Sequence, residues 1–423
     1  MNHNKKNESI TVNHKLIISS SNPVDLIWNR TWTDVYGAEG RAIGLDSLNN
    51  SYITGYTGSA GNSYEASLVK YNSSGQFQWV RKWGGSYQDV GQAILINSTN
   101  DIYITGYTQN GFLGETDIFI LKYNSTGGLQ WSDVWGGSGN DYSYGIAMDK
   151  NNNIFLGGNT NSYNAVNGSA MVLLKYNTSG VLEWNRTWSG SFSDGAMGIV
   201  VDASDNIYLG GTAGYDMCLV KFDNSGVWQW NRSWSAGLGI SWGTAITIDS
   251  ADNIYLVGEG YVVDNATLTY DWNVYLLKYN KFGVLQWSNM GDHDKTGLTF
   301  KFLINGISLD SSNNIYVAKT TSDDDMEIVK FDSSGNKLWN YVFGSSGPDS
   351  CNGILIDTIN DIYIVGTLDN IMNVAKFTEN PQGTSAIGIP GYNQWVLICV
   401  LSVVSSVIAF SISLKTKLIK KIK

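Results

Sequence analysis

Cysteine and proline are nearly missing from this chain, at three and four among 423 residues. Cys218, Cys351 and Cys399 form no motif and lie far apart, which argues against a disulfide framework. Histidine is as scarce: His3, His14 and His293 are all there is, and two of them sit in the polar N-terminal stretch. That leaves no His/Cys metal cluster, and neither a Gly-x-Ser-x-Gly elbow nor a phosphate loop occurs. No catalytic residue is assigned. Positive charge is also short, with 27 Lys and Arg against 37 Asp and Glu and a formal charge of −10. Five lysines (415, 417, 420, 421 and 423) fall in the last nine residues, so the remainder carries −15. A nucleic-acid partner is excluded on that balance. Residues 1–23 hold no apolar core of the roughly 7–15 residues that a secretory signal needs.

Glycine and aromatic residues are plentiful instead. A tryptophan recurs at positions 28, 79, 131, 184, 230, 287 and 339, at steps of 46 to 57 residues. Between successive tryptophans stand short β-branched and aromatic runs separated by Gly, Asn, Asp and Ser. In the unit from Trp131 to Gly180 these are Gly145 to Asp149, Ile154 to Gly158 and Val172 to Tyr176. Such runs are strand-length, and four per unit at this period indicate a propeller. Seven sets of strands a, b and c occur, beginning near Ala42, Gly91, Gly145, Gly195, Gly243, Gly306 and Gly353. The seven Trp-bearing d strands match them in number but are offset. Leu26 to Trp32 precedes every set, and the last set ends at Phe377 with no d strand after it. A ring resolves the mismatch, with Leu26 to Trp32 pairing with Val374 to Phe377 and removing a bare sheet edge. The expected fold is all-β: a seven-bladed β-propeller of four-stranded antiparallel blades over residues 24–380, the N-terminal strand closing the last blade. Small strand-a residues such as Gly91, Ala93, Gly145 and Ala147 suit a crowded axis.

After a linker at 381–392, residues Asn393 to Leu414 run for about 22 positions without a charge, enough to cross about 30 Å of hydrocarbon. One C-terminal transmembrane helix is expected at 393–414, with a basic cytoplasmic tail at 415–423. The lysines place the tail inside and the propeller outside the cell membrane.

The passage Trp135-Gly136-Gly137-Ser138-Gly139-Asn140-Asp141-Tyr142 through Ile154-Phe155-Leu156-Gly157-Gly158 resembles the SBBP-type β-propeller repeat of bacteria and archaea. The pattern runs through all seven units and is eroded in the sixth, at Gly291-Asp292-His293-Asp294. The resemblance implies a cell-surface or secreted protein without a general catalytic assignment. Ile389-Pro390-Gly391-Tyr392-Asn393, followed by the apolar run and lysines, resembles the C-terminal sorting or anchoring tails of archaeal surface proteins.

The a–b turns (Asp149-Lys-Asn-Asn-Asn, Asp202-Ala-Ser-Asp-Asn) and c–d turns (Tyr71-Asn-Ser-Ser-Gly) scarcely vary between units. All length variation falls on the b–c and d–a loops of the other face, at Gln109 to Asp117, Asn161 to Ala170, Glu259 to Trp272 and Asp292 to Asn305. A specific function belongs on that face. Trp242 and Trp272 break the repeat at its rim in blade five and are candidates to hold a sugar or protein. Asp292, His293 and Asp294, with Asp323, Asp324 and Asp325 on the next loop, are candidate ligand contacts. Asp89, Asp141, Asp194 and Asp349 could ring the channel mouth around a cation such as Ca2+, though such carboxylates more often bond loop amides. The Asp-x-x-Asn-Asn turns lack calcium-loop spacing and suit simple turn chemistry. No cofactor is expected otherwise. The leading expectation is a non-enzymatic, membrane-anchored surface propeller that binds a protein or glycan. The alternative is an extracellular lyase or hydrolase using the acids and His293 of blade six.

Overall fold

A computed structural model describes residues 23–380 apart from 60–62, 110–114, 164–167, 191, 238–239, 265–268 and 291–303. Seven four-stranded antiparallel sheets follow one another along the chain, six of them built from consecutive strands. The seventh has the order Val24–Trp32, Ile371–Glu379, Ile362–Leu368, Asp349–Ile356, so the first strand is the outer strand of the last blade. Val24 pairs with Glu379, Leu26 with Phe377 and Trp28 with Lys376. The ring closes as the offset of the tryptophans demands.

The seven a strands are Ala38–Leu45, Asp89–Ile96, Asp141–Met148, Gly195–Val201, Ser241–Ile248, Ile304–Leu309 and Asp349–Ile356. They surround the axis, where room is short. A Cβ added to Gly145 would lie 3.0 Å from Ile199 of the next blade, and one on Gly198 2.8 Å from Ile246. The core is correspondingly divided into clusters that each span two blades, as where Phe155 and Leu173 pack with Ile199, Leu209 and Val220. Fully burying side chains of this size contributes about 1.5–3 kcal/mol each.

Each recurring tryptophan packs on the strand-b aromatic of its own blade, edge-on in five blades, for example Trp79 on Tyr52 at 5.9 Å and Trp230 on Tyr208 at 5.9 Å, and tilted at Trp131 and Trp184. Except at Trp339, its other face receives the c–d turn of the next blade. A Cβ on Gly226 would sit 3.0 Å from Trp184, and one on Gly283 2.9 Å from Trp230. Both glycines have positive φ, so the turn geometry and the ring contact exclude larger residues together. Arg232 lies over the Trp230 ring at 4.8 Å and donates Nε–H to the Gly283 carbonyl at 2.8 Å. Arg30, Arg81 and Arg186 repeat the clasp onto Gly75, Gly127 and Gly226. The tryptophans are thus inter-blade contacts, as the repeat implies.

One expected loop is not a loop. Glu259 to Trp272 belongs largely to a long hairpin, Ile254–Asp264 with Thr269–Tyr279, in which Tyr261 pairs with Trp272. The run Tyr261-Val262-Val263 and Thr269-Tyr270 favours extended backbone, so the hairpin extends beyond the others. Cys218 and Cys351 are buried thiols in no disulfide, and burial pushes each up to about 12. Among the described residues no helix is long and apolar enough to cross a membrane. The expected anchor at 393–414 and the tail motif lie outside the described residues.

Candidate functional site

On one face the turns are self-contained. The Asp202 carboxylate accepts the Ser204 and Asn206 N–H groups at 2.9 and 2.8 Å, the Asn206 side-chain amide at 2.8 Å and the Tyr208 hydroxyl at 3.0 Å. Asp46, Asp249 and Asp310 do the same in their own blades. The residue three positions on, such as Asn49, Asp205 or Asn313, takes the left-handed conformation that Asn and Asp tolerate. Burial raises the pKa of Asp202, but the bonds from Asn206, Tyr208 and Ser204 outweigh it and leave the carboxyl below its usual value. Turn chemistry thus fills each of these carboxylates.

The opposite face is built differently. Every a strand carries one β-bulge, and the extra residue is Arg41, Gln92, Tyr144, Met197, Thr244, Asn305 and Asn352 in blades one to seven. A bulge re-aims a side chain. Arg41, Gln92, Tyr144, Met197, Thr244 and Asn352 line an axial cavity of about 580 Å3, together with Trp242, Thr212 and Glu259. In six blades the strand-b residue opposite the bulge is glycine: Gly55, Gly106, Gly158, Gly211, Gly258 and Gly366. A Cβ there would run into the strand-a carbonyl, of Glu39, Val90, Tyr142, Gly195, Trp242 and Ser350 in turn. The bulge and the glycine therefore require each other, whereas the bulged side chain is unconstrained and differs almost everywhere. Sequence reasoning passed over these residues. The signal was available, as the one varying position inside an otherwise repeating strand.

Around the cavity mouth the groups differ in how well they are partnered. Arg41 pairs with Glu39 at 2.9 Å and lies over Tyr56 at 5.8 Å. Glu39 also accepts the Tyr56 hydroxyl at 2.6 Å and the Asn352 amide at 3.0 Å. Tyr107, Tyr142 and Tyr144 form an aromatic row, with centroids 5.0 and 6.1 Å apart. Across the mouth, Glu259 directly follows Gly258 and pairs in register with Trp242. Among the described residues its Oε2 is buried without a hydrogen-bond partner, as is Oδ1 of Asn159 at the matching position of blade three. Burial alone pushes the Glu259 carboxyl up to about 7.

The other candidates separate into four groups. Trp242 lines the cavity, while Trp272 stands in the long hairpin. Asp292, His293 and Asp294 lie outside the described residues. Asp323, Asp324 and Asp325 form a tight b–c turn rather than an open acidic patch. Asp324 has positive φ, its carbonyl accepts the Asp349 N–H at 2.8 Å, and Asp325 is buried against Gly344. Asp89, Asp141, Asp194 and Asp349 bond their own loops. Asp89 accepts Gly85 N–H at 2.7 Å and Thr108 Oγ1–H at 2.5 Å, and Asp141 accepts Gly137 N–H at 3.0 Å and Ser162 Oγ–H at 2.7 Å. Asp194 holds Gly190 N–H and Gly214 N–H, and Asp349 holds the Ser345 hydroxyl and Asp369 N–H. Among the described residues no three His, Cys, Asp or Glu side chains are placed to hold a metal ion.

Residues 130–164 match the SBBP family, a beta-propeller repeat. The match covers the outer strand of blade two and the first two strands of blade three, and the other blades share the four-stranded architecture. The chain is 23% identical, over 82% of its length, to an uncharacterized WD repeat-containing protein of Acanthamoeba polyphaga mimivirus, and spans 30% of that protein. Among solved structures, the WD40 domain of Neurospora crassa Pan2 superposes with a TM-score of 0.53 at 8% identity, covering 85% of this chain and 96% of that domain. An ulvan lyase of a polysaccharide-lyase family superposes at 0.52 and 11% identity, covering 80% and 94%. At these identities the likeness is one of fold.

Proposed function

We propose that this protein is a non-enzymatic, membrane-anchored cell-surface propeller that takes a protein or glycan ligand on its variable face, centred on the mouth of the axial cavity. One observation carries the reading. Strand a repeats in backbone and in its isoleucines, yet at its bulge six blades present six different residue types to one shared space. A purely structural ring has no need of that diversity. The cavity volume lies in the range of small-molecule sites, roughly 300–1,000 Å3, and mixes aromatic walls with a few polar groups. The uncharged run Asn393 to Leu414 and the lysines after it support the anchor. The test is to array the full chain, in detergent, against a panel of glycans and surface proteins, with and without calcium. Saturable binding that Trp242→Ala weakens is expected, and no binding to any member defeats the proposal.

A further inference from the structure

Two buried acceptors stand at equivalent register positions, one of them in the cavity wall, and among the described residues no donor reaches either. Glu259 Oε2 and Asn159 Oδ1 each follow the glycine opposite a bulge, in blades five and three. A buried acceptor left unmade costs about 1–3 kcal/mol, and more when it is charged. A ligand that donates to it recovers that cost. The one guanidinium in the cavity wall is already engaged, because Arg41 pairs with Glu39, which Tyr56 and Asn352 also hold. Blade five's side of the mouth therefore presents an uncompensated carboxylate beside the Trp242 indole, with Thr212 and Met197 as its uncharged neighbours in the wall. An indole beside a carboxylate suits a ring with an apolar C–H face and a cationic or donor-rich edge.

We infer that the axial cavity selects a saccharide bearing a free amino group, whose ammonium is held by Glu259 while its ring stacks on Trp242. Anionic saccharides are rejected by the same carboxylate. This rests on the proposed ligand-binding role of the variable face and names the ligand class for it.

The experiment titrates the full chain with three β-1,4-linked disaccharides at pH 7.5: one of glucosamine, one of glucose and one containing a uronic acid. Binding is read by calorimetry and tryptophan fluorescence. The glucosamine disaccharide is expected to bind at least ten-fold more tightly than the glucose one, and the uronic acid not at all. Glu259→Gln, close to isosteric, is expected to erase that preference without lowering the melting temperature. Trp242→Leu is expected to weaken both binding disaccharides equally and abolish the fluorescence change. Equal binding of all three, or a preference that survives Glu259→Gln, overturns the inference while panel binding leaves the proposed function standing. Absence of binding to every panel member removes both.

Discussion

The two faces of the ring are made from the same repeats and end in opposite states. On the turn face each a–b carboxylate is filled by its own loop, as Asp46 is by Leu48, Asn50 and Tyr52. The next blade then latches on, for Asp252 accepts the Ala203 N–H at 3.1 Å and Asn360 the Ser311 N–H at 3.3 Å. On the loop face the carboxylates at the strand starts bond their own loops, yet among the described residues Glu259 Oε2 and Asn159 Oδ1 stand open beyond them. Repetition satisfies polar groups by copying one solution seven times. Where a blade departs from the copy, its side chains answer to something other than the ring itself.

The sharpest way to break this contrast is at the closure. Trp28 is 6% exposed, stands edge-on to Tyr363 at 6.0 Å and supports the Gly75 turn of blade one. Trp28→Ala is expected to cost about 3–5 kcal/mol, read from urea denaturation, because it leaves a cavity where the ring is joined. A loss below about 1 kcal/mol would mean that the closing strand is not integral to the core.

Next is the turn network. Asp202→Ala strips four donors of their acceptor and is expected to cost about 2 kcal/mol at pH 7. The folded pKa of Asp202 lies below the ordinary aspartate value of 3.8, so its contribution is complete above that pH. It is lost as pH falls through the lower folded value. The stability gap between wild type and variant should therefore close in strong acid, and a gap unchanged there would refute the ionic part of the account.

Glu259 reverses the sign. Its carboxyl is raised from an ordinary 4.5 to about 7 in the folded protein, so the folded state holds the proton more tightly. The penalty is absent below the ordinary value, grows as pH rises through that window and is complete above about 7. Glu259→Gln is expected to stabilise the protein by up to about 3 kcal/mol at pH 8 and by almost nothing at pH 4, in melting scans at the two pH values. Equal melting shifts at both pH values would show that the carboxyl is not held in a dry site.

The smallest effect should come from the bulge positions. Gln92→Ala changes a side chain that lines open space, so stability should move by no more than about 0.5 kcal/mol. Affinity for the panel ligand should nonetheless fall. A large stability loss would turn the bulge residues from ligand contacts into structural ones.

Much of the fold could be read directly because its determinants are punctuation. Tryptophan spacing counts the blades, Asp and Asn mark the a–b turns, and the orphan strand before Ala42 predicts the closure through Trp28. What escaped was local. A bulge shifts register by one residue, so Arg41, Gln92 and Tyr144 read as ordinary members of an alternating strand. Only Gly55, Gly106 and Gly158 across the ladder betray it. The long hairpin of blade five was read as a loop because length variation in a repeat suggests one, although Tyr261-Val262-Val263 is strongly extended in its preferences. Attention went to rows of acids, such as Asp323 to Asp325, whose backbone needs explain them. Glu259, a single acid after a repeating glycine, drew none.

The pairing of Val24 with Glu379 has a mechanical consequence. Adjacent antiparallel strands run about 4.7–4.9 Å apart, so the polypeptide enters and departs from the disc at a single point on its perimeter. A force applied between those two neighbours unzips one ladder rung by rung and springs the disc into an arc. The load path then depends on Trp28 more than on any other tryptophan, and a ribosome must finish Ile371–Glu379 before the first-made strand finds its seat.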